Sequence, residues 1–220
     1  MCSCIASGLS GAGSLRICVY VLQMFLPSDH GYLEWTQANA HRDGQGVASM
    51  GALVTLNAGW KVPDAGVLKV NVDAGWLGSG GMGLALVVRD HVEECVYAET
   101  CFHENRLDAS LAEATALRWA IVRIQALEME TVVVETSALN VVTAFNREGS
   151  WAELEPVIKD CRMLFAIIRA FKLQHAKRDA NEVAHILASL AIDFPNRCWW
   201  EDFPSQIKSV LLADVFSVMN

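Results

Sequence analysis

The amino-acid sequence predicts an α/β domain in which helices pack on a mixed five-stranded sheet. Short connections between the first three predicted strands favour an antiparallel meander. Helical segments separate the later strands, and such crossovers favour parallel pairing. A hydrophobic fraction of 53% with 19% charged residues is typical of a globular chain that can bury a core. We therefore expect three antiparallel strands followed by two parallel ones.

The first three strands are identified by hydrophobic alternation and by the turns between them. Residues 67–73 alternate apolar and polar side chains, which is strand periodicity. Closely spaced glycines between residues 75 and 83 mark a turn, and an apolar run at residues 82–88 predicts the second strand. Charged residues 89–94 form the next turn, which leads to a third strand at residues 95–102.

The rest of the chain alternates between helical and extended patterns. Small and apolar residues recur at helical spacing after Asp108, which suits a helix N-cap. A β-branched run then predicts a strand. The predicted elements are a helix at 108–127, a strand at 131–135, helices near 137–146 and 154–170, a strand at 171–176 and a helix at 181–192.

The sequence predicts one ordered domain with a segment on either side. Residues 1–58 are rich in Gly, Ala and Ser without a sustained period, so we treat them as an N-terminal extension whose order is left open. Residues 59–195 contain all the predicted strands and form the domain. Residues 196–220 are expected to be a C-terminal tail with a short helix.

Formal charge and cysteine spacing narrow the class of protein. A net charge of −8 argues against strong nonspecific binding to nucleic acid, because phosphate contacts need Lys and Arg, although a local basic patch is compatible with it. The seven cysteines lack CxxC spacing, which favours free thiols in a reducing compartment. An apolar run at residues 17–26 is too short to span a bilayer. We expect a soluble intracellular protein, cytoplasmic or nuclear, with no membrane partner; its oligomeric state is left open.

Six short motifs occur in a fixed order along the predicted domain. They are Trp60-x-x-Pro63-x-x-Gly66, Lys69-Val-Asn-Val-Asp73, Val87-Val-Arg-Asp90, Leu111-Ala-Glu113-Ala-x-Ala-Leu117, Val133-Val-Glu135 and Asn181-x-x-Ala184-His185-x-Leu-Ala188. Each motif is weakly specific by itself, but their order and spacing resemble the plant ribonuclease-H-like family. That family is part of the ribonuclease H type 1 superfamily and is related to the terminal domain of retroelement reverse transcriptases. The resemblance implies a ribonuclease-H-like fold.

The resemblance also implies hydrolysis of the RNA strand of an RNA–DNA hybrid, with Mg²⁺ or Mn²⁺ as cofactor. Two divalent ions about 3.5–4 Å apart repel each other, so a cluster of carboxylates is needed to hold them. The active family pattern supplies four acidic positions, of which Asp73 matches the first and Glu113 the second. Both are candidate catalytic residues and metal ligands. Without the family pattern, Asp73 would be interpreted as a turn-capping residue and Glu113 as a solvated helix residue.

The third and fourth positions of the pattern have no carboxylate in this chain. Ser137 matches the third, where its neutral hydroxyl is a poor Mg²⁺ ligand and a helix N-cap role would explain it equally well. His185 matches the fourth, as in many plant relatives, and imidazole suits Zn²⁺ or Mn²⁺ better than Mg²⁺. Asp179 and Glu182 are nearby carboxylates that could compensate. Because losing one group from a cooperative site costs orders of magnitude in rate, we expect cleavage to be weak or lost.

Five further residues are candidate contacts to nucleic acid under this resemblance. They are Asn71, His175, Lys177, Arg178 and Asn181. His175 and the basic pair after it could contact phosphate, or could form an ordinary solvated loop. Three interpretations stay open: a hybrid-specific nuclease that needs Mg²⁺ or Mn²⁺, a non-catalytic module that binds nucleic acid or protein, and a retroelement-derived domain without activity. The last two would need no cofactor.

Overall fold

The computed structural model describes residues 59–78, 80–146 and 151–218, and the predicted extension at residues 1–58 lies outside them. The strands are β1 (Leu68–Trp76), β2 (Met82–Arg89), β3 (Cys95–His103), β4 (Thr131–Thr136), β5 (Ala170–His175) and β6 (Cys198–Trp199). They form one sheet of six strands in the order β5-β4-β1-β2-β3-β6. The α/β class and the mixed sheet are confirmed, whereas the predicted count of five strands is one too few.

Strand pairing follows the predicted topology except at one edge. β1 pairs antiparallel with β2 and β2 with β3, whereas β4 runs parallel to both β1 and β5. The additional strand, β6, pairs antiparallel with β3, and its two residues are too few to show alternation in the sequence. On the same edge, the amides of Thr100 and Phe102 donate to the carbonyl of Arg197 and to Oδ1 of Asn196. The predicted tail therefore contributes to the sheet.

Five α-helices lie within the described ranges. They are α1 (Ala109–Ala126), α2 (Leu139–Asn146), α3 (Glu155–Phe165), α4 (Glu182–Ser189) and α5 (Ser205–Val218), with 3₁₀ turns at Arg178–Asn181 and Leu190–Ile192. Asp108 caps α1 as predicted, since its Oδ1 accepts from the amide of Leu111 at 3.1 Å. α3 is shorter than predicted: it ends at Phe165, after which the amides of Ile167 and Ile168 donate to the carbonyls of Leu164 and Phe165 in a turn.

The sheet has an apolar core on each face. α1 covers the face that includes Val70 and Val72 of β1, and α3 packs against α1. α4 lies across the opposite face of β1 and β2, where Ile207 of α5 joins the same core. The approach of α4 is so close that a Cβ at Gly83 would overlap the carbonyl oxygen of Ala188. Strand β1 is therefore central and has helices on both of its faces.

A buried ion pair joins the C-terminal helix to the sheet. Nη1 of Arg89 on β2 lies 2.6 Å from Oδ2 of Asp214 on α5. The Arg89 guanidinium is stacked 3.8 Å above the Trp60 ring, and the residue is only 1% exposed. Burial raises the pKa of the Asp214 carboxyl, and the Arg89 charge opposes that rise. This ion pair adds to the apolar contacts that hold α5 against the sheet.

From the sequence we expected free thiols and no segment long enough to span a membrane. In the part of the chain that the structure describes, no helix has both the length and the apolar character needed to cross a membrane. Cys95 and Cys161 have free thiols, and burial raises the pKa of each to about 12. Cys198 is disulfide-bonded, so the expectation of free thiols is wrong for that residue.

Candidate active site

Asp73 lies on the central strand with its carboxylate enclosed by protein groups. The residue is 3% exposed and belongs to the face of β1 that α4 covers. Its Oδ2 lies 2.9 Å from Nδ1 of His185, and its Oδ1 accepts from Nδ2 of Asn181 at 3.3 Å. Burial raises the pKa of the Asp73 carboxyl, while His185 opposes that rise through its hydrogen bond and its charge. Both oxygens of the carboxylate are therefore engaged.

His185 is held from its other side by Arg178. Nη2 of Arg178 lies 2.7 Å from Nε2 of His185, and a guanidinium can only donate. The same Nη2 lies 3.2 Å from Nδ1, so the guanidinium lies against the ring beside both nitrogens. Nδ1 is also hydrogen-bonded to Oδ2 of Asp73 at 2.9 Å. The imidazole therefore lies between a guanidinium and a carboxylate, and a metal ion that approached Nε2 would have to displace Arg178.

Glu113 on α1 borders the same pocket from the opposite helical layer. The backbone N–H of Ala74 and the hydroxyl of Thr136 are close enough to lower the pKa of its carboxyl. Burial, followed by the neighbouring Asp73 charge, raises the pKa of Glu113 to about 8. Its Oε2 is buried and has no hydrogen-bond partner among the described residues. At neutral pH the carboxyl is mainly protonated, and Oε2 is an oxygen that the protein leaves unused.

Ser137 occupies the third position of the family pattern, where a catalytic role and a helix N-cap role were both considered. Ser137 is half-buried directly after β4, and no hydrogen bond between described residues joins it to the three residues above. The amide of Ala138 donates to Oγ1 of Thr136 at 3.2 Å, so Thr136 rather than Ser137 caps the turn before α2. Thr136 is thus the site residue that the motifs missed. Alternation along β4 could have found it, because that pattern places Thr136 on the α1 face with Glu113.

The donor atoms at this pocket do not fit two Mg²⁺ ions. Within residues 59–78, 80–146 and 151–218, no group of three or more His, Cys, Asp or Glu side chains is arranged to hold a metal ion. Asp73 and Glu113 supply the carboxyls, and Arg178 adds a permanent positive charge beside them. Asp179 is exposed, and the charge of Glu182 acts on α5 instead. Paired divalent ions would therefore lack anionic oxygen ligands.

Asn71 and Asn181, two of the candidate contacts to nucleic acid, lie inside the protein. Their exposed fractions are 0% and 1%. Asn71 Nδ2 donates to Oδ1 of Asn181 at 3.1 Å, and Asn71 Oδ1 accepts from Nη2 of Arg89 at 3.0 Å. Asn181 Nδ2 lies within donating distance of the Val72 carbonyl, at 3.0 Å, and of Asp73. To contact a nucleic acid, both side-chain amides would have to break these hydrogen bonds, which also hold Asp73 in place.

A family comparison identifies the chain. A family model described as reverse transcriptase-like matches residues 71–191, which is more than half of the 220 residues. The chain belongs to this reverse transcriptase-like family. The matched range includes all four aligned positions, Asp73, Glu113, Ser137 and His185. No curated protein matches the sequence.

Solved structures share the fold of this reverse transcriptase-like domain. RNase H1 from the halophilic archaeon Halobacterium salinarum is 18% identical with a TM-score of 0.53, and the match covers 58% of this chain and 98% of that one. LC11-RNase H1 in complex with RNA/DNA hybrid is 18% identical with a TM-score of 0.51, over 58% and 97% of the two chains. The N-terminal RNase H domain of rv2228c from Mycobacterium tuberculosis is 19% identical with a TM-score of 0.51, over 58% and 94%. The reverse transcriptase-like domain therefore has a ribonuclease-H-like fold.

The remaining candidate residues of the reverse transcriptase-like domain lie on its surface. His175 ends β5, where it is paired with Thr136 of β4 in the parallel register. His175, Lys177 and Arg178 are all exposed. His175 and Lys177 line an open cleft of about 560 Å³, whereas Arg178 reaches His185. Three of the five candidate contacts to nucleic acid are thus accessible to a ligand as they stand.

Proposed function

We propose that this domain binds RNA–DNA hybrid or another nucleic acid, and that its ancestral hybrid-cleaving activity is weak or lost. Family membership supports the proposal, as does the fold shared with structures that include an RNase H1 bound to RNA/DNA hybrid. A shared fold does not by itself assign an activity, so the argument depends on the chemistry of the pocket.

The observation that carries the proposal is the arrangement of Arg178, His185 and Asp73, in which the guanidinium lies against the imidazole and the imidazole is hydrogen-bonded to the carboxylate. At the position where the active family pattern has a fourth carboxylate, this chain has an imidazole that donates to the first carboxylate. The guanidinium behind it is positively charged, and the raised pKa of Glu113 removes a further negative charge at neutral pH. Such a pocket repels a pair of divalent cations. It is better suited to a phosphate group, which Arg178 can bind through charge-assisted hydrogen bonds.

Any residual cleavage is expected to depend on Mg²⁺ or Mn²⁺, with Asp73 and Glu113 as ligands. Glu113 would have to lose its proton and His185 would have to release Asp73, and both changes cost free energy. Imidazole is a better ligand for Mn²⁺ than for Mg²⁺, so Mn²⁺ should support more of any activity that remains.

The test uses the full chain with a labelled RNA–DNA hybrid, in Mg²⁺ and separately in Mn²⁺. Binding is measured by fluorescence anisotropy and cleavage by gel electrophoresis. The key variant is Asp73→Asn, and exposed Asp193→Asn is the matched control for the loss of one carboxylate. We expect the wild type and both variants to bind the hybrid, and cleavage to stay near background in all three.

Each alternative outcome has a definite meaning. Robust cleavage that Asp73→Asn abolishes and Asp193→Asn leaves intact would show that the pocket is catalytically competent, against the proposal. Absence of hybrid binding by the wild type would refute nucleic-acid recognition and favour a retroelement-derived domain with another role.

A further inference from the structure

The cleft beside β5 is formed by one face of the sheet and two loops. Its floor consists of side chains from β1, β4 and β5 that share the face on which α4 covers β1 and β2. One wall is the segment that precedes β1, which includes Lys61 and Asp64. The other wall is the loop after β5, which includes Lys177. The volume of the cleft, about 560 Å³, is within the range of ligand-binding pockets and can hold a short segment of an extended polymer.

The carboxylate on the floor of the cleft is neutralised from within the protein. Oε1 of Glu135 lies 2.9 Å from Nζ of Lys69 and accepts from Nε2 of Gln174 at 2.7 Å. Oε2 of Glu135 is 3.2 Å from Nδ2 of Asn71. The side chains of Lys69 and Glu135 are 6% and 7% exposed, so this pair contributes almost no net charge to the cleft.

The rim of the cleft is basic, although the whole chain is acidic. Lys61, Lys172 and Lys177 line the cleft and are exposed, and none of them forms an ion pair with another described residue. His175 lies among them, and Asp64 is the opposing carboxylate on the rim. Three cations from three separate segments thus meet around one cleft in a protein with a net charge of −8. The cleft rim is therefore a local basic patch, which the acidic net charge of the whole chain does not exclude.

The cleft adjoins the Asp73 pocket through consecutive residues. Lys177 lines the cleft, and the next residue, Arg178, donates to His185 at the pocket. His175 similarly lies in the cleft, and its β4 neighbour Thr136 is close enough to Glu113 to lower the pKa of that carboxyl. A polymer with regularly spaced negative charges could therefore contact both places without a break.

We propose that the cleft holds the phosphodiester backbone of the nucleic acid that the Asp73 pocket recognises, with Lys61, Lys172 and Lys177 as its phosphate contacts. The inference rests on the proposed function and extends it to a second contact surface. Exposed lysines act as point charges toward phosphate and carry no base specificity. A nucleic acid is favoured over an acidic peptide because Lys61 and Lys177 lie on opposite walls of the cleft and Arg178 follows at the adjoining pocket, a spread of cations that suits regularly spaced phosphates.

The experiment compares two triple variants that change the net charge equally. The cleft variant is Lys61→Gln, Lys172→Gln and Lys177→Gln. The control is Lys159→Gln, Arg169→Gln and Lys208→Gln, three exposed residues that do not line the cleft. Affinity for a labelled RNA–DNA hybrid is measured by anisotropy over a range of salt concentrations. The cleft variant should bind on the order of 100-fold more weakly at 0.1 M salt, and its slope of log K against log salt should fall by roughly 2 to 3.

The control variant should keep a slope close to that of the wild type, and both variants should keep the wild-type circular dichroism spectrum. Equal slopes for the two variants would overturn this inference while leaving hybrid binding intact. Absence of binding by the wild type would overturn the proposed function as well. If poly-glutamate binds the wild type but not the cleft variant, and hybrid affinity is equal in both, the cleft takes an acidic protein segment and the inference is wrong. Should the triple variant fail to fold, Lys172→Gln alone must lower the slope by about 1.

Discussion

Replacement of Glu113 by Gln should change how the stability of the protein depends on pH. The pKa of Glu113 is raised from 4.5 to about 8, first by burial and then by the Asp73 charge. Between these values the folded protein keeps a proton that the unfolded chain has lost, so stability falls as pH rises. The contribution of the protonated carboxyl is fully present below pH 4.5 and is lost as pH rises through about 8. Gln resembles the protonated form at every pH and should remove this dependence.

The structure also sets the size of the effect. A pKa raised from 4.5 to about 8 makes at most about 5 kcal/mol of the free energy of unfolding depend on pH, at roughly 1.4 kcal/mol for each pH unit. Partial access to solvent and the mutual influence of Asp73 reduce that figure. We expect the wild type to lose on the order of 2 kcal/mol relative to Glu113→Gln between pH 5 and pH 8.5.

The assay is urea denaturation of both proteins at pH 5, 7 and 8.5 in the presence of EDTA, followed by circular dichroism. Taking the difference between wild type and variant removes the titration of all other groups. Exposed Glu155→Gln is the matched control and should differ from the wild type by the same small amount at every pH. A Glu113→Gln difference that is constant across the range, or that changes in the opposite direction, would refute the assignment of a buried protonated carboxyl.

Three further changes have expected outcomes. Asp214→Asn leaves the Arg89 guanidinium buried without its charge partner, so the free energy of unfolding should fall by about 3–5 kcal/mol in urea denaturation. Gly83→Ala places a Cβ against the backbone of α4, and a loss of about 1–3 kcal/mol or more should appear as a lower thermal midpoint. The double change Ser137→Asp and His185→Asp supplies the two missing carboxylates, and the initial rate of Mg²⁺-dependent hybrid cleavage should rise by an order of magnitude or more.

Each of these predictions has a control that the chain itself provides. Asp160→Asn breaks a half-exposed pair with Arg118 and should cost less than about 1 kcal/mol. A Cβ at Gly78 meets no atom within 4 Å, so Gly78→Ala should leave the thermal midpoint nearly unchanged. Adding Asp73→Asn to the double carboxylate variant should abolish its cleavage. Persistence of the cleavage would place its source elsewhere or in a contaminant.

The parts of the fold that sequence predicts well are those with a long, regular pattern. The alternation through β1 and the apolar run of β2 gave correct strands, and the helix after Asp108 begins where the N-cap signal places it. These elements bury one face continuously, so their periodicity survives in the residues. Strand β6 has two residues and owes its existence to pairing with β3, a contact between distant parts of the chain. No local pattern can report such a contact.

The sequence motifs supply candidate site residues but not the bonds between them. The motifs predict that four positions meet at one pocket. The structure brings Asp73, Glu113 and His185 together, and no hydrogen bond between described residues joins Ser137 to them. Motif spacing does not predict the contact between Arg178 and the His185 ring, because that contact depends on how the loop after β5 folds back. The burial of Asn71 was missed for a similar reason, since an Asn beside an Asp in a strand motif gives no sign of which protein groups will bond to it.

The hydrogen bonds at the outer edge of β3 bear on how the chain can be shortened. Thr100 and Phe102 donate their amides to Arg197 and Asn196, and β6 pairs beside them. A protein truncated at residue 195 would leave these donors facing water on an open strand, and open strands recruit strands from other molecules. Aggregation, rather than loss of the ligand pocket, would then be the first consequence of truncation at the apparent domain boundary.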